Sequence, residues 1–246
     1  MSGSRAVKSR ALLASVVLLC ALSFPAAVNG DVGSQCLTES SSQPPDCGAA
    51  PVSVAVWTEY PDVPPDHWAY RQIMACSSND VVQGYPDGLY HPELVVDRGS
   101  MSAFIARAMV GGEGQVPAPA SPPEFGDVQA ESWAWSYVQM LAGLNLVTGY
   151  PDGEYHPEEP VDRGQMAVFI ARAAIYPPGE EGLAAFTPPE SPTFSDVPPD
   201  SWCFKHVEFL AWQTVIAGYP DGTYRPEEMV TRDQMAVYVA RGFGID

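Results

Sequence analysis

The chain is poor in charge, and poorer still in positive charge. Charged residues make up 17% of its 246 residues, with 12 Lys plus Arg against 30 Asp plus Glu. A formal net charge of −18 offers no basic surface for nucleic acid or anionic lipid, so neither is expected as a partner. Long apolar runs are also missing. The one apolar stretch, Ala11 to Leu22, is shorter than the ~20 residues needed to span a bilayer. Cysteine is sparse, and its five positions form neither a CxxC pair nor a Cys/His cluster, so structural zinc is not expected. What is plentiful is Pro and Gly, 25 and 21 residues, together with 11% aromatics. That combination argues for a folded, turn-rich protein rather than a disordered one.

Residues 1–30 read as a signal peptide. Arg5, Lys8 and Arg10 form a cationic region, the apolar stretch follows, and Val28 and Gly30 suit a cleavage site before Asp31. An uncleaved anchor and a lipoprotein modified at Cys20 are the alternatives. Cleavage removes three cations and no acids, moving the charge from −18 to −21. No transmembrane segment is expected afterwards. Residues 31–57 form a Ser/Pro/Cys-bearing tail. Export permits disulfides among Cys36, Cys47, Cys76 and Cys203, and Cys36 with Cys47 is the local pairing.

The rest of the chain holds three segments that align with one another without a gap, 58–111, 125–175 and 194–246, joined by linkers 112–124 and 176–193. Each copy opens on Asp-Val at Asp62, Asp127 or Asp196. Trp68, Trp133 and Trp202 follow six residues later. Gly-Tyr-Pro-Asp-Gly begins at Gly84, Gly149 and Gly218, and an Arg follows at Arg98, Arg163 and Arg232.

Each copy reads as two helices around a turn. Helix one is expected to start near Asp66, Glu131 or Asp200, with a core stripe that in copy two is Trp133, Tyr137, Val138, Leu141 and Leu144. Gly-Tyr-Pro-Asp-Gly is a turn whose second Gly supplies a positive φ. Its single Asp is too few oxygens for a calcium loop, and no metal or cofactor is expected. Helix two starts after Asp97, Asp162 or Thr231, with a capping box in copies two and three. Its stripe is Met166, Phe169, Ile170 and Ala173 in copy two. Cys76 stands where the other copies have Leu141 and Leu210, which suits a buried free thiol. A two-helix unit of this size is marginal alone, so the copies are expected to share a core.

No catalytic constellation is visible, and the chain reads as non-enzymatic. Among its four His, His91 and His156 share a repeat position that is Arg225 in copy three, which fits a solvated site beside a turn. Arg98, Arg163 and Arg232 are more informative. A cation on the first residue of a helix opposes the helix dipole at a cost of a few tenths to about 1 kcal/mol. A salt bridge, for example to Asp62, Asp127 or Asp196, would offset it. So would an external anion held by the guanidinium and the free helix N–H groups. For the Trp residues, core packing is the favoured reading, and stacking on a sugar ring the alternative.

Together these motifs resemble the S-layer homology (SLH) domain family. They read Phe194-Ser195-Asp196-Val197-Pro198, Trp202, Gly218-Tyr219-Pro220-Asp221-Gly222, Tyr224-Arg225-Pro226 and Thr231-Arg232-Asp233-Gln234-Met235-Ala236 in copy three. The family's usual Thr-Arg-Ala-Glu is Asp97-Arg98-Gly99-Ser100 in copy one and Asp162-Arg163-Gly164-Gln165 in copy two, so the Glu is absent. The resemblance implies a mainly α fold in which three tandem repeats pack as a pseudo-threefold trimer with a shared helical core. It implies a secreted bacterial cell-surface module that anchors proteins to cell-wall polysaccharide, commonly one bearing pyruvate ketals, or to peptidoglycan. Other surface-layer proteins are further candidate partners. By motif match, Arg98, Arg163 and Arg232 become ligand contacts, and Trp68, Trp133, Trp202, Gly84, Gly149 and Gly218 become groove walls. A surface-layer component without glycan binding and a wall hydrolase are the competing readings.

Overall fold

The computed structural model describes residues 60–246. The signal-peptide reading of 1–30, the tail 31–57 and the pairing of Cys36 with Cys47 lie outside these residues. The described residues form seven α-helices: α1 Tyr70–Ser78, α2 Arg98–Val110, α3 Trp135–Gly143, α4 Arg163–Ala173, α5 Glu180–Leu183, α6 Phe204–Trp212 and α7 Arg232–Phe243. No strand is present among them. Each repeat supplies a first helix (α1, α3 or α6) and a second (α2, α4 or α7). The first linker contains a 3-10 turn at Glu113–Gln115, and the second contains α5.

The second helices begin where local capping dictates. Asp97 and Asp162 lie in the extended region and accept from the N–H of Ser100 and Gln165, each at 2.7 Å. In copy two the Gln165 side chain reaches back to the Asp162 N–H at 3.3 Å, closing a capping box.

The first helices begin four residues later than the acidic residues suggest. The Pro-containing segment ahead of α1 makes i→i+3 turns instead, with His67 N–H to Pro64 carbonyl at 2.8 Å and Tyr70 N–H to His67 carbonyl at 2.9 Å. The Trp therefore sits on a turn before the helix, not on its core stripe. Trp68, Trp133 and Trp202 are 60, 57 and 63% exposed, which corrects the favoured reading of Trp as core. Leu144 is likewise exposed, because Asn145 at φ 55° turns the chain and buries Leu146 and Val147 in its place. The remaining stripe residues, Tyr137, Val138 and Leu141, are buried, as are Met166, Phe169, Ile170 and Ala173.

The copies engage in cyclic order. Helix α2 packs on α3 of the next copy, α4 on α6, and α7 returns to α1, while α2, α4 and α7 touch one another. Ahead of the second helices three valines close a ring of hydrogen bonds, each at 2.9 Å. Val96 N–H donates to Val230, Val230 to Val161, and Val161 to Val96. Every donor is thus satisfied by a different copy, so the ring forms only when all three are present. The buried residues form one continuous apolar core around these helices. Cys76 is free, wholly buried, and lies 3.6 Å from the Ala236 carbonyl. Burial pushes its thiol up to about 12. Cys203 is also free and buried.

Candidate functional site

Each repeated Arg crosses to the neighbouring copy. Arg232, on the first residue of α7, donates from Nε to the Tyr90 carbonyl at 2.9 Å and from Nη2 to the Gln83 carbonyl at 2.8 Å. Its guanidinium carbon lies 4.5 Å from the Tyr90 ring centre and 4.8 Å from that of Tyr85. Arg98 does the same to Tyr155 and Thr148 of copy two, and Arg163 to Tyr224 and Ala217 of copy three. All three side chains are 3–5% exposed.

These contacts answer the dipole problem without a carboxylate. Carbonyl oxygens and tyrosine faces stabilise the cation. Among the described residues, none of the three Arg side chains forms an ion pair. Asp62, Asp127 and Asp196 are engaged elsewhere. The two oxygens of Asp62 accept from the backbone N–H of Tyr90 and His91 at 2.9 and 2.7 Å. Asp127 holds Tyr155 and His156, and Asp196 holds Tyr224 and Arg225, in the same way. Each Asp thus fixes the strained residue after its tyrosine, where φ is 56–59° at His91, His156 and Arg225. The expected Arg–Asp salt bridge is not formed because these carboxylates are used within their own copy.

The turn glycines are required by close approach. A Cβ on Gly84 would fall 2.5 Å from the Tyr60 ring and 2.8 Å from the Leu89 carbonyl. Gly149 meets Phe125 and Gly218 meets Phe194 at 2.5 and 2.4 Å. The positive φ expected of the second Gly is found at Gly88, Gly153 and Gly222, 82 to 85°. His91 and His156 pair with the turn residues Asp87 and Asp152 at 2.7 Å, and Arg225 pairs with Asp221 at 2.9 Å, so copy three gives the turn Asp an Arg partner where the other copies give it a His.

The exposed Trp of each copy lies over the start of the preceding copy's second helix. Trp133 covers Gly99, and Trp202 covers Gly164, where an added Cβ would approach the indole to 3.1 and 3.0 Å. At the third junction the Gly position is Asp233, which accepts from the Trp68 indole N–H at 2.9 Å. One consequence is a groove of about 350 Å³ beside α2. Its walls include Gly84 and Tyr85 of copy one, Arg232 of copy three and Trp133 of copy two, with Phe104 and Arg107 of α2 between them. Sequence spacing cannot assign these residues to one site, because they come from three copies.

Tyr85 and Tyr90 were legible only as parts of turn motifs. Their threefold recurrence as Tyr150 and Tyr219, and as Tyr155 and Tyr224, was the signal for a further role. Asp127, Glu154 and His156 bring donor atoms within 4.8 Å of one another, but both Asp127 oxygens already accept backbone N–H bonds. A larger groove of about 850 Å³ lies beside α6 and contains Tyr176, Phe186 and Trp212; its linker residues do not recur between copies. Among the described residues no helix is long and apolar enough to cross a membrane.

The S-layer homology domain model matches residues 59–102, 124–167 and 193–236, together more than half of the chain. Cell surface glycoprotein 1 of Acetivibrio thermocellus is 26% identical over 162 residues, 65% of this chain and 7% of that protein. The cellulosome-anchoring protein of the same organism is 26% identical over 164 residues, 65% of this chain and 34% of that protein. An endoglucanase of Bacillus sp. (strain KSM-635) is 25% identical over 182 residues, 74% of this chain and 18% of that protein. The chain therefore spans about a third or less of the length of these relatives. Three tandem matches, each covering a first helix, the turn after it and the start of a second helix, show that the chain belongs to the S-layer homology domain family.

Proposed function

We propose that this chain is a non-catalytic cell-surface anchoring module that holds an anionic cell-wall glycan, a polysaccharide or peptidoglycan, in the grooves between its repeats. The observation that carries this reading is the convergence of Gly84, Arg232 and Trp133 on one groove. An exposed indole face offers a stacking platform for a sugar ring. A guanidinium beside it suits a carboxylate substituent such as a pyruvate ketal. The relatives whose names speak of anchoring and of the cell surface favour the same assignment. The copies are taken to be disposed about a pseudo-threefold axis, which the cyclic order of helix contacts and the valine ring support.

A net charge of −18 makes the local cations decisive, since the surface as a whole repels an anionic polymer. The test is co-sedimentation with purified wall sacculi, before and after removal of acidic substituents. Sedimentation that is lost with the substituents is expected, and failure to sediment with any wall preparation would sink the reading.

A further inference from the structure

The three Arg–Tyr junctions between copies are not chemically equal, and the difference lies at two repeat positions outside the Arg, Trp and Gly set. The first governs the turn tyrosine. In copy three the Tyr219 hydroxyl donates to Glu228 at 2.7 Å. In copy two Glu159 stands at the same repeat position, and burial and Glu159 push the Tyr150 phenol up. The same position in copy one is Leu94, and the Tyr85 hydroxyl has no hydrogen-bond partner among the described residues.

The second position lies on the second helix and governs the Arg. Arg163 donates from Nη1 to the hydroxyl of Tyr238. Its counterparts Phe104 and Phe169 offer no acceptor, and Nη1 of Arg232 and of Arg98 makes no hydrogen bond among the described residues. In the groove beside α7 both donors are therefore committed. Beside α4 the Arg edge is open, but Glu159 stands beside the tyrosine and adds a negative charge. Only the junction of Arg232 with Tyr85 combines an open guanidinium edge and an uncommitted phenol with an apolar residue, Leu94, at the repeat position where the others carry a carboxylate. Glu158 and Asp97 also line the groove beside α2; the repeat position of Glu158 is Glu in all three copies, and Asp97, whose counterparts are Asp162 and Thr231, is engaged by the Ser100 N–H at 2.7 Å.

We infer that the groove beside α2 is the anion-selective groove of this chain, and that Leu94, Glu159 and Glu228 are the residues that set the selection. The inference rests on the anchoring reading above, because it takes the ligand to be a sugar bearing a carboxylate. A fixed carboxylate beside the site discriminates against an anionic ligand by like-charge repulsion and by consuming the tyrosine donor. Leu94 is 48% exposed, so a charge placed there has access to water and leaves the core untouched.

The test is titration of the full chain with the methyl glycoside of a pyruvate-ketal-bearing sugar, with its methyl ester as the neutral control. Wild-type protein is expected to bind at one site, L94E to bind about tenfold more weakly or not at all, and E159L to gain a second site. Melting temperatures of the variants, measured alongside, are expected to match wild type. Equal affinity in L94E and wild type, three equal sites in wild type, or no binding of the ketal by wild type would each overturn the inference. Sedimentation with sacculi separates the two claims. A chain that sediments while L94E binds the ketal unchanged loses the groove assignment and keeps the anchoring reading. A chain that binds the ketal through this groove but never sediments does the reverse.

Discussion

Arg232 and Tyr90 hold each other twice across 142 residues. The Arg232 Nε donates to the Tyr90 carbonyl at 2.9 Å, and the Tyr90 hydroxyl donates back to the Arg232 carbonyl at 3.0 Å. The same exchange joins Arg163 with Tyr224, and Arg98 with Tyr155. The repeated Arg is thus a clamp between copies before it is anything else. Arg232→Ala is expected to cost about 2–4 kcal/mol, because it leaves buried carbonyls without charged donors. Tyr90→Phe removes only the returning bond and is expected to cost about 0.5–1.5 kcal/mol. Urea denaturation of the two variants measures both. Loss of wall binding in an Arg→Ala variant therefore has to be read together with its stability.

The turn glycine is sensitive for a steric reason. Gly149→Ala would set a methyl group 2.5 Å from the Phe125 ring and 2.7 Å from the Glu154 carbonyl. A loss of about 1–3 kcal/mol is expected from this overpacking. Gly153 has open space around it and a φ of 85°, so Gly153→Asn is expected to cost less than about 1 kcal/mol. Thermal melts of the two variants make the comparison.

Trp133 separates binding from folding better than the Arg does. With 57% of its surface exposed, Trp133→Ala is expected to change stability by no more than about 1 kcal/mol. The same variant is expected to lose most of its sedimentation with wall sacculi. Full retention of binding would remove the indole from the site.

The copy-two turn carries a pH-dependent pair. His156 is raised, chiefly by its hydrogen bond to Asp152, so its contribution is in place below about pH 6.5 and is lost as pH rises through the raised value. Asp152 is lowered, first by the Glu154 N–H and then by His156, so its contribution is in place above about pH 3.9 and is lost as pH falls through the lowered value. Between these limits both are intact. Asp152→Asn is expected to lower the His156 titration midpoint in an NMR pH series. In copy three Arg225 replaces the His, and Asp221 is held down to about 2 by Thr223 and Arg225, so that turn has no corresponding upper limit near neutrality.

How far the fold could be read in advance depended on the range of the interaction concerned. The start of each second helix was legible because Asp97, Asp162 and Thr231 act within three residues. The start of each first helix was not. Asp66, Glu131 and Asp200 looked like N-terminal acids, but the segment between them and the helices folds into turns. That four-residue shift moved Trp68, Trp133 and Trp202 from the expected core to the surface.

By itself the sequence determined the three copies, their turns, their caps and their family, because each of these is written in short, recurring spacings. Only the tertiary structure decided which copy each Arg enters. It also decided that carbonyls rather than Asp62, Asp127 and Asp196 receive it, and that one groove draws Gly84, Arg232 and Trp133 from three copies. The reason is that a buried cation takes whatever acceptors the closed ring of helices brings to it. That ring closes between α7 and α1, more than 150 residues apart, where sequence spacing carries no information.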